Sequence, residues 1–268
     1  MAQPLGAYLF KDQNPERLLW YAEIMKKFLL AGLLFIGGAF AQAENYSSVA
    51  ISYDNTGLTA NNKGILQMAG FEYKAKSGSL NGFGLQYNYG IGISELPMNV
   101  EVGLKWSMGF TKHTYNESNS YGNFEETIST SLMRLGIPVS YIYHFNVKNL
   151  LTISPYAGLD FRFNLMAKTK WSGTEYSFDS SEGSYDSDDL DDESINWFSK
   201  DDMGGYTANR FQMGWHLGVR FEVRKIYLGL EYGTDFMPLW SVTEYNGSKN
   251  VKNHINTGNF ALSLGYKF

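Results

Sequence analysis

The chain has no cysteine, which excludes disulfides, thiolate metal centres and a lipid anchor on an N-terminal cysteine. Proline is scarce, 6 residues in 268, so few positions are barred from a strand ladder. Charged residues make up 18%, below the roughly 25% of soluble domains. Positive charge is not in excess. The formal net charge is -5, and that balance gives no support for a nucleic-acid partner. After Ala43 no apolar run reaches the ~20 residues that a spanning helix needs. Against these shortages stand 19 Tyr, 18 Phe and 28 Gly, which suit strands and tight turns better than helices.

One short apolar run lies near the start. Lys26 and Lys27 follow Met25, residues 28–40 are apolar or small, and Ala41-Gln42-Ala43 offers small residues at a cleavage position. This is the three-part pattern of a secretory signal peptide over 25–43, and it is too short to span a bilayer. Residues 1–24 carry Asp12, Glu16 and Glu23, and acids do not belong in such a signal. They are expected to be a non-native upstream extension, with translation starting at Met25. The mature chain, 44–268, would then hold 18 basic and 24 acidic residues.

The mature chain is built from long alternating segments. Phe211, Met213, Trp215, Leu217, Val219 and Phe221 alternate with Gln212, Gly214, His216, Gly218, Arg220 and Glu222. Leu228, Leu230 and Tyr232 alternate with Gly229, Glu231 and Gly233; Leu262, Leu264, Tyr266 and Phe268 alternate with Ser263, Gly265 and Lys267. Val100, Val102, Leu104 and Trp106 face away from Glu101, Gly103, Lys105 and Ser107. Successive strand side chains point to opposite sides, so each segment has one greasy face and one polar or small face. A soluble sandwich also alternates. Here, however, the segments run about 12 to 17 residues, against ~5–6 for ordinary strands. Their charges also sit among glycines, as a tight polar interior requires. A lipid-facing sheet must close on itself, because hydrocarbon cannot solvate unpaired backbone groups. The expected fold is all-β, a closed antiparallel transmembrane β-barrel with long extracellular loops in the outer membrane of a Gram-negative cell.

Expected strands are 46–54, 80–93, 98–114, 126–145, 150–169, 208–224, 226–241 and 257–268, eight in all. Residues 65–76 are either the true first strand or an extracellular extension of the first hairpin; counting 46–54 and 65–76 as separate spans would make nine, which breaks the parity, so the count is eight or ten. Connections alternate short and long, which places both ends of an even-numbered barrel on the periplasmic side.

The last residues, Gly265-Tyr266-Lys267-Phe268, resemble the C-terminal signal read by the barrel-assembly machinery, with Tyr266 and Phe268 as its aromatic positions. Residues 135–141 (LGIPVSY), 155–159 (PYAGL) and 211–215 (FQMGW) resemble those of Bacteroidetes outer-membrane β-barrel proteins, the "porin family". That resemblance spans about 45–268. It implies a fold and a location, but no catalytic residues, because the group mixes structural barrels, pores, adhesins and secretion components.

The expected interior holds Lys105, Arg134, Arg162, Arg210, Arg220 and Lys267 against Glu101, Asp160, Glu222, Glu231 and Asp235. Near-balanced charges would pair and fill an eight-stranded barrel. The function expected first is therefore structural or surface interaction, with outer-membrane lipid around the wall and an extracellular ligand at the loops. A small passive diffusion channel is the alternative, and a lipid- or peptide-hydrolysing enzyme a third. No cofactor is expected. Residues 175–202 of the loop at about 171–207 contain eleven acids and one base. Asp188, Asp189, Asp191, Asp192 and Glu193 would suit weak binding of a divalent cation, though without the turn glycine of an EF-hand. Trp171, Tyr176, Trp197, Phe198 and Tyr206 around this loop would form an adhesive surface or, for those nearest the strands, the outer aromatic girdle. His113, His144, His216 and His254 lie in no recognisable catalytic pattern.

Overall fold

A computed structural model describes residues 44–61, 77–93, 96–119, 122–148, 150–179, 184–202, 208–245 and 250–268. The extension at 1–24, the signal segment at 25–43, residues 65–76 and Tyr206 lie outside the described residues. The regular structure described is all strand: β1 (Tyr46–Ala60), β2 (Ser77–Gly92), β3 (Met98–Asn119), β4 (Gly122–Tyr143), β5 (Phe145–Val147), β6 (Leu151–Asp179), β7 (Ser184–Asn196), β8 (Phe211–Val223), β9 (Ile226–Asp235), β10 (Trp240–Tyr245) and β11 (Asn250–Lys267). No described helix is long and apolar enough to cross a membrane.

Eight strands form the ring, in the order β1-β2-β3-β4-β6-β8-β9-β11. Each is antiparallel to the next, and β11 closes onto β1 from Ser48↔Lys267 to Ala60↔Ile255. The register fixes the shape. Directly paired residues run Tyr46, Gly90, Glu101, Ser140, Gly158, His216, Gly233, Asn259, and the circuit returns to β1 at Thr56, ten residues above its start. With a rise of ~3.3 Å per residue and ~4.8 Å between strands, that offset tilts the strands about 40° from the barrel axis. At that tilt roughly ten residues cross a ~25 Å apolar band.

The greasy alternate positions face outward. Ile51 is 60% exposed while its neighbour Ser52 is 8% exposed. Leu85, Leu104, Leu217, Leu228 and Leu264 are likewise exposed, because the surrounding lipid is their solvent.

Several strands run further than the hydropathy pattern suggests. β3 and β4 pair as far as Asn119↔Gly122, and β6 pairs with β7 from Lys168↔Asn196 to Asp179↔Ser184. The long outer connections expected after about Tyr115 and Lys170 are therefore hairpins rather than open loops. Above the membrane water wets both faces, so pairing continues where apolar alternation stops. The expected strand 226–241 is interrupted instead. β9 ends at Asp235, and chain 236–239, which includes Pro238, a residue with no N–H to give to a ladder, precedes β10, which pairs with β11. The expected strand 126–145 breaks at His144 into β4 and the short β5.

A bulge changes the reading of β6. Met133 pairs with Met166 but Arg134 pairs with Asn164, leaving Leu165 as the extra residue. Below it, Asp160, Arg162 and Asn164 are buried; above it, Ala167 and Thr169 are. The inward face thus changes from even to odd numbers, as an inserted residue requires.

Inward space is allotted in large-and-small pairs. Tyr46 faces Gly90, Tyr156 faces Gly218, and Tyr227 faces Gly265 directly across the ladder. A Cβ at Gly218 would lie 2.4 Å from Cζ of Tyr156 and 2.5 Å from the carbonyl oxygen of Leu230. Gly218→Val should therefore destabilise the barrel by about 1–3 kcal/mol, measured as a lower urea midpoint in vesicles. An unchanged midpoint would show that the ring of Tyr156 is not fixed there.

Candidate functional site

The inner face of the ring is the chemically dense part of the molecule, and three layers fill it. The lowest lies nearest the short turns. Arg220 on β8 grips Glu101 on β3 with both guanidinium arms, at 2.6 and 2.7 Å. The Tyr46 hydroxyl donates to the same carboxylate at 2.7 Å. The rings of Tyr156 and Tyr227 lie 4.8 and 5.1 Å from the guanidinium carbon, near enough for cation–π attraction. Lys267 meets Glu222 at 3.4 Å and lies 4.2 Å from the Tyr46 ring. The two nitrogens of His144 bond Ser154 (2.8 Å) and Asn99 (2.7 Å).

The middle layer is a chain of ion pairs. Lys105 bonds Asp54 at 2.8 Å and approaches Glu231 at 3.7 Å. Arg162 bonds Asp160 at 2.6 Å and also Asp235, which accepts from Thr257. Arg134 donates to Thr56. A void of about 20 Å³ lies among Asp54, Lys105, Arg134, Asp160, Arg162 and Glu231. That is room for about one water molecule.

The upper layer is apolar. Leu58, Leu80, Leu132, Leu239, Trp240, Ile255 and Trp197 pack into one buried cluster, with Phe198 against it. Trp197 is therefore not part of a lipid-facing girdle. Its indole N–H donates to Thr169, a partner that faces inward because of the bulge at Leu165. The polar lumen expected from the alternation thus holds only for the lower part of the barrel.

Of the eleven charged residues expected inside, Arg210 is not there. It is exposed just before β8, 4.3 Å from the Phe198 ring. It continues the alternation of β8 one residue before that strand begins. Asp54 lies inside instead, at the end of the series Ser48, Ala50, Ser52 between outward Val49, Ile51 and Tyr53. That signal was present in the sequence. Tyr46 and Tyr156, which carry no charge and so do not stand out, are structural partners of the network. The described inner face holds five basic side chains (Lys105, Arg134, Arg162, Arg220, Lys267) against six acidic ones (Asp54, Glu101, Asp160, Glu222, Glu231, Asp235).

Folding brings together one arrangement with the order of a hydrolase triad. Ser140 Oγ is 2.7 Å from His216 Nε2, and His216 Nδ1 is 3.1 Å from Asp160 Oδ2. Three features argue against acyl transfer there. The second contact lacks the alignment of a hydrogen bond. Asp160 is already bonded to Arg162. His216 is 1% exposed, and a Cβ at the facing Gly158 would lie 2.8 Å from His216 Nε2, so no substrate can reach the serine.

The described acids from Glu175 to Glu193 lie on strands. Asp188, Asp189, Asp191, Asp192 and Glu193 all belong to β7. Glu193 is exposed, while the side chains of the other four are outside the described residues. Beyond β7, Asp202 accepts from the Asn196 amide and the Ser199 hydroxyl, each at 2.9 Å. These bonds, the amide first, hold its carboxyl below the ordinary range. Their support for the turn is present above the ordinary carboxylate pKa and is lost as pH falls through the lowered value.

A closed eight-stranded ring with an apolar wall and an ion-paired, water-poor interior defines a transmembrane barrel of the outer-membrane type. The model of the outer membrane protein beta-barrel domain matches residues 40–244, and the chain belongs to that family. It is an outer-membrane protein. No curated protein matches it. Among solved structures it is similar to Ail, the attachment invasion locus protein of Yersinia pestis, in complex with the heparin analogue sucrose octasulfate (13% identity, 84% of this chain and 100% of that one, TM-score 0.39). The N-terminal β-barrel domain of Pseudomonas aeruginosa OprF (12%, 84% and 100%, TM-score 0.28) and the outer membrane protease OmpT of Escherichia coli (9%, 86% and 98%, TM-score 0.20) are also similar.

Two outcomes are expected here. Glu101→Ala strands a buried guanidinium and should cost about 3–5 kcal/mol, whereas Glu101→Leu combined with Arg220→Met recovers most of it; urea unfolding in vesicles measures both. Folded protein should also remain unlabelled by a fluorophosphonate, and labelling that disappears in Ser140→Ala would establish a reactive serine.

Proposed function

We propose that the protein is a sealed surface barrel whose ring serves as an anchor and whose outer sheet meets an extracellular partner. The observation that supports this most is strand length. β6 has 29 residues, nearly three times what crossing requires, and among the described residues β7 is paired with β6 alone. Together with the upper parts of β3 and β4 they form a four-stranded ladder in the order β3-β4-β6-β7. The pairings of β7 play no part in closing the ring. Such a ladder gives the outer chain a fixed shape, and fixed shape lowers the entropy cost of binding.

Charge sets the class of partner. With eleven acids and one base over 175–202, the sheet favours a cationic protein surface, through contacts that weaken with salt. Divalent-cation binding at Asp188, Asp189, Asp191, Asp192 and Glu193 is a narrower form of the same reading. A diffusion channel gains no support from a one-water void beneath an apolar plug. Residues 25–43 would direct export, Tyr266 and Phe268 would engage the assembly machinery, and the organism would be a member of the Bacteroidetes.

Planar-bilayer recordings of folded protein should be silent at all voltages. Replacing residues 175–188 by Asn-Gly removes the hairpin tip and leaves the ring residues in place. This variant removes five of the eleven acids; it should keep its heat-modifiable gel shift and weaken its salt-sensitive binding to immobilised polylysine. Undiminished binding would remove the acidic sheet from the proposal.

A further inference from the structure

The outer wall is not evenly convex. A groove of about 740 Å³ runs across β9, β11, β1, β2, β3 and β4. Its course follows from the register. One rung of directly paired outward residues is Ile226, Tyr266, Val49, Tyr87, Leu104; the next is Leu264, Ile51, Leu85, Trp106, Leu135. On β1 the shorter Val49 lies between Tyr266 and Tyr87, which lowers the wall at that rung. On the side away from the short turns, Phe83 packs edge-on against Trp106, with ring centroids 5.6 Å apart.

Each rung crosses four strand spacings, about 19 Å. A rung climbs from β1 towards β4, because the circuit returns to β1 ten residues higher. At a strand tilt of about 40° the climb over that length is about 12 Å. The groove therefore starts at the short-turn rim and rises through most of one leaflet, whose hydrocarbon is roughly 15 Å deep, half of the ~30 Å core. At its lower end is a cation. Lys225, exposed in the two-residue turn before Ile226, holds its ammonium 6.0 Å from the centre of the Tyr266 ring. Arg224, exposed beside it with φ 58°, adds a second positive charge at the rim.

We infer that this groove seats one phospholipid of the periplasmic leaflet, with its phosphate at Lys225 and an acyl chain along the Val49–Ile51 floor. Three features select that occupant: the groove is apolar along its length, it rises through most of one leaflet, and its charge is placed where the headgroup belongs. A lipid of the outer leaflet would bring its headgroup to the opposite rim.

The test uses the full folded protein in vesicles of phosphatidylethanolamine and phosphatidylglycerol, with a small fraction of the phosphatidylglycerol carrying a diazirine in its acyl tail. After irradiation, cross-links should be several-fold enriched on peptides covering 83–106 and 262–266 over those covering 156–165 and 213–221 on the far wall. Ile51→Trp, which fills the floor, should abolish the enrichment, and Lys225→Glu should reduce it several-fold. The heat-modifiable gel shift confirms that each variant is folded. Native mass spectrometry from mild detergent should show one retained phospholipid per barrel in the parent and none in Ile51→Trp. Uniform labelling around the wall would overturn the proposal. So would a dimer mass that Ile51→Trp dissociates, since the groove would then hold a second copy of the chain.

Discussion

An amide left unpaired in hydrocarbon costs several kcal/mol, and a single free sheet edge would leave a row of them. The pairing of β1 with β11 removes both edges, and the remaining features follow from that closure. Eight strands with a ten-residue offset leave an interior only as wide as a few side chains. Lipid outside requires apolar residues at alternate positions, so the intervening residues must all enter that narrow space. They pack there as tyrosine against glycine, arginine against carboxylate and, towards the outer end, leucine against tryptophan.

Electrostatics and packing act together inside. Arg220 is held by two oxygens of Glu101 and flanked by two tyrosine rings, and the same rings occupy the space left by Gly218 and Gly265. Removing either carboxylate or glycine would disturb both the charge pairing and the fit. The Ser140–His216–Asp160 contacts belong to this filling. The Ser140–His216 hydrogen bond and the Asp160–Arg162 pair satisfy polar groups in the middle of a membrane-embedded core.

The ring itself was legible in the sequence, because lipid on one side and a cramped polar space on the other produce a strict period of two. Strands such as 98–110 and 211–223 show that period in nearly every residue. Legibility failed where the cause of the period is absent. Above the membrane, β3, β4 and β6 stay paired with water on both faces, so Thr, Ser, Asn and Glu carry no alternation to read. The apolar plug at Leu58, Leu80 and Trp197 reverses the expected polarity of inward positions, and hydropathy alone cannot separate it from the wall. Arg210 continues the alternation of β8 but stands one residue before the strand begins, where phase no longer sets which side a residue faces. Asp54 sat in phase with its inward neighbours but fell at the boundary drawn for β1.

The extra residue at Leu165 bears on how such a chain can change over generations. A one-residue gain or loss anywhere else in a crossing segment would turn every side chain beyond it inside out, placing carboxylates in lipid and leucines against arginines. β6 already contains one such offset at a depth where the upper interior accepts it. Lengthening or shortening of the other walls is therefore confined to steps of two or to the hairpin tips, where a change of phase meets only water.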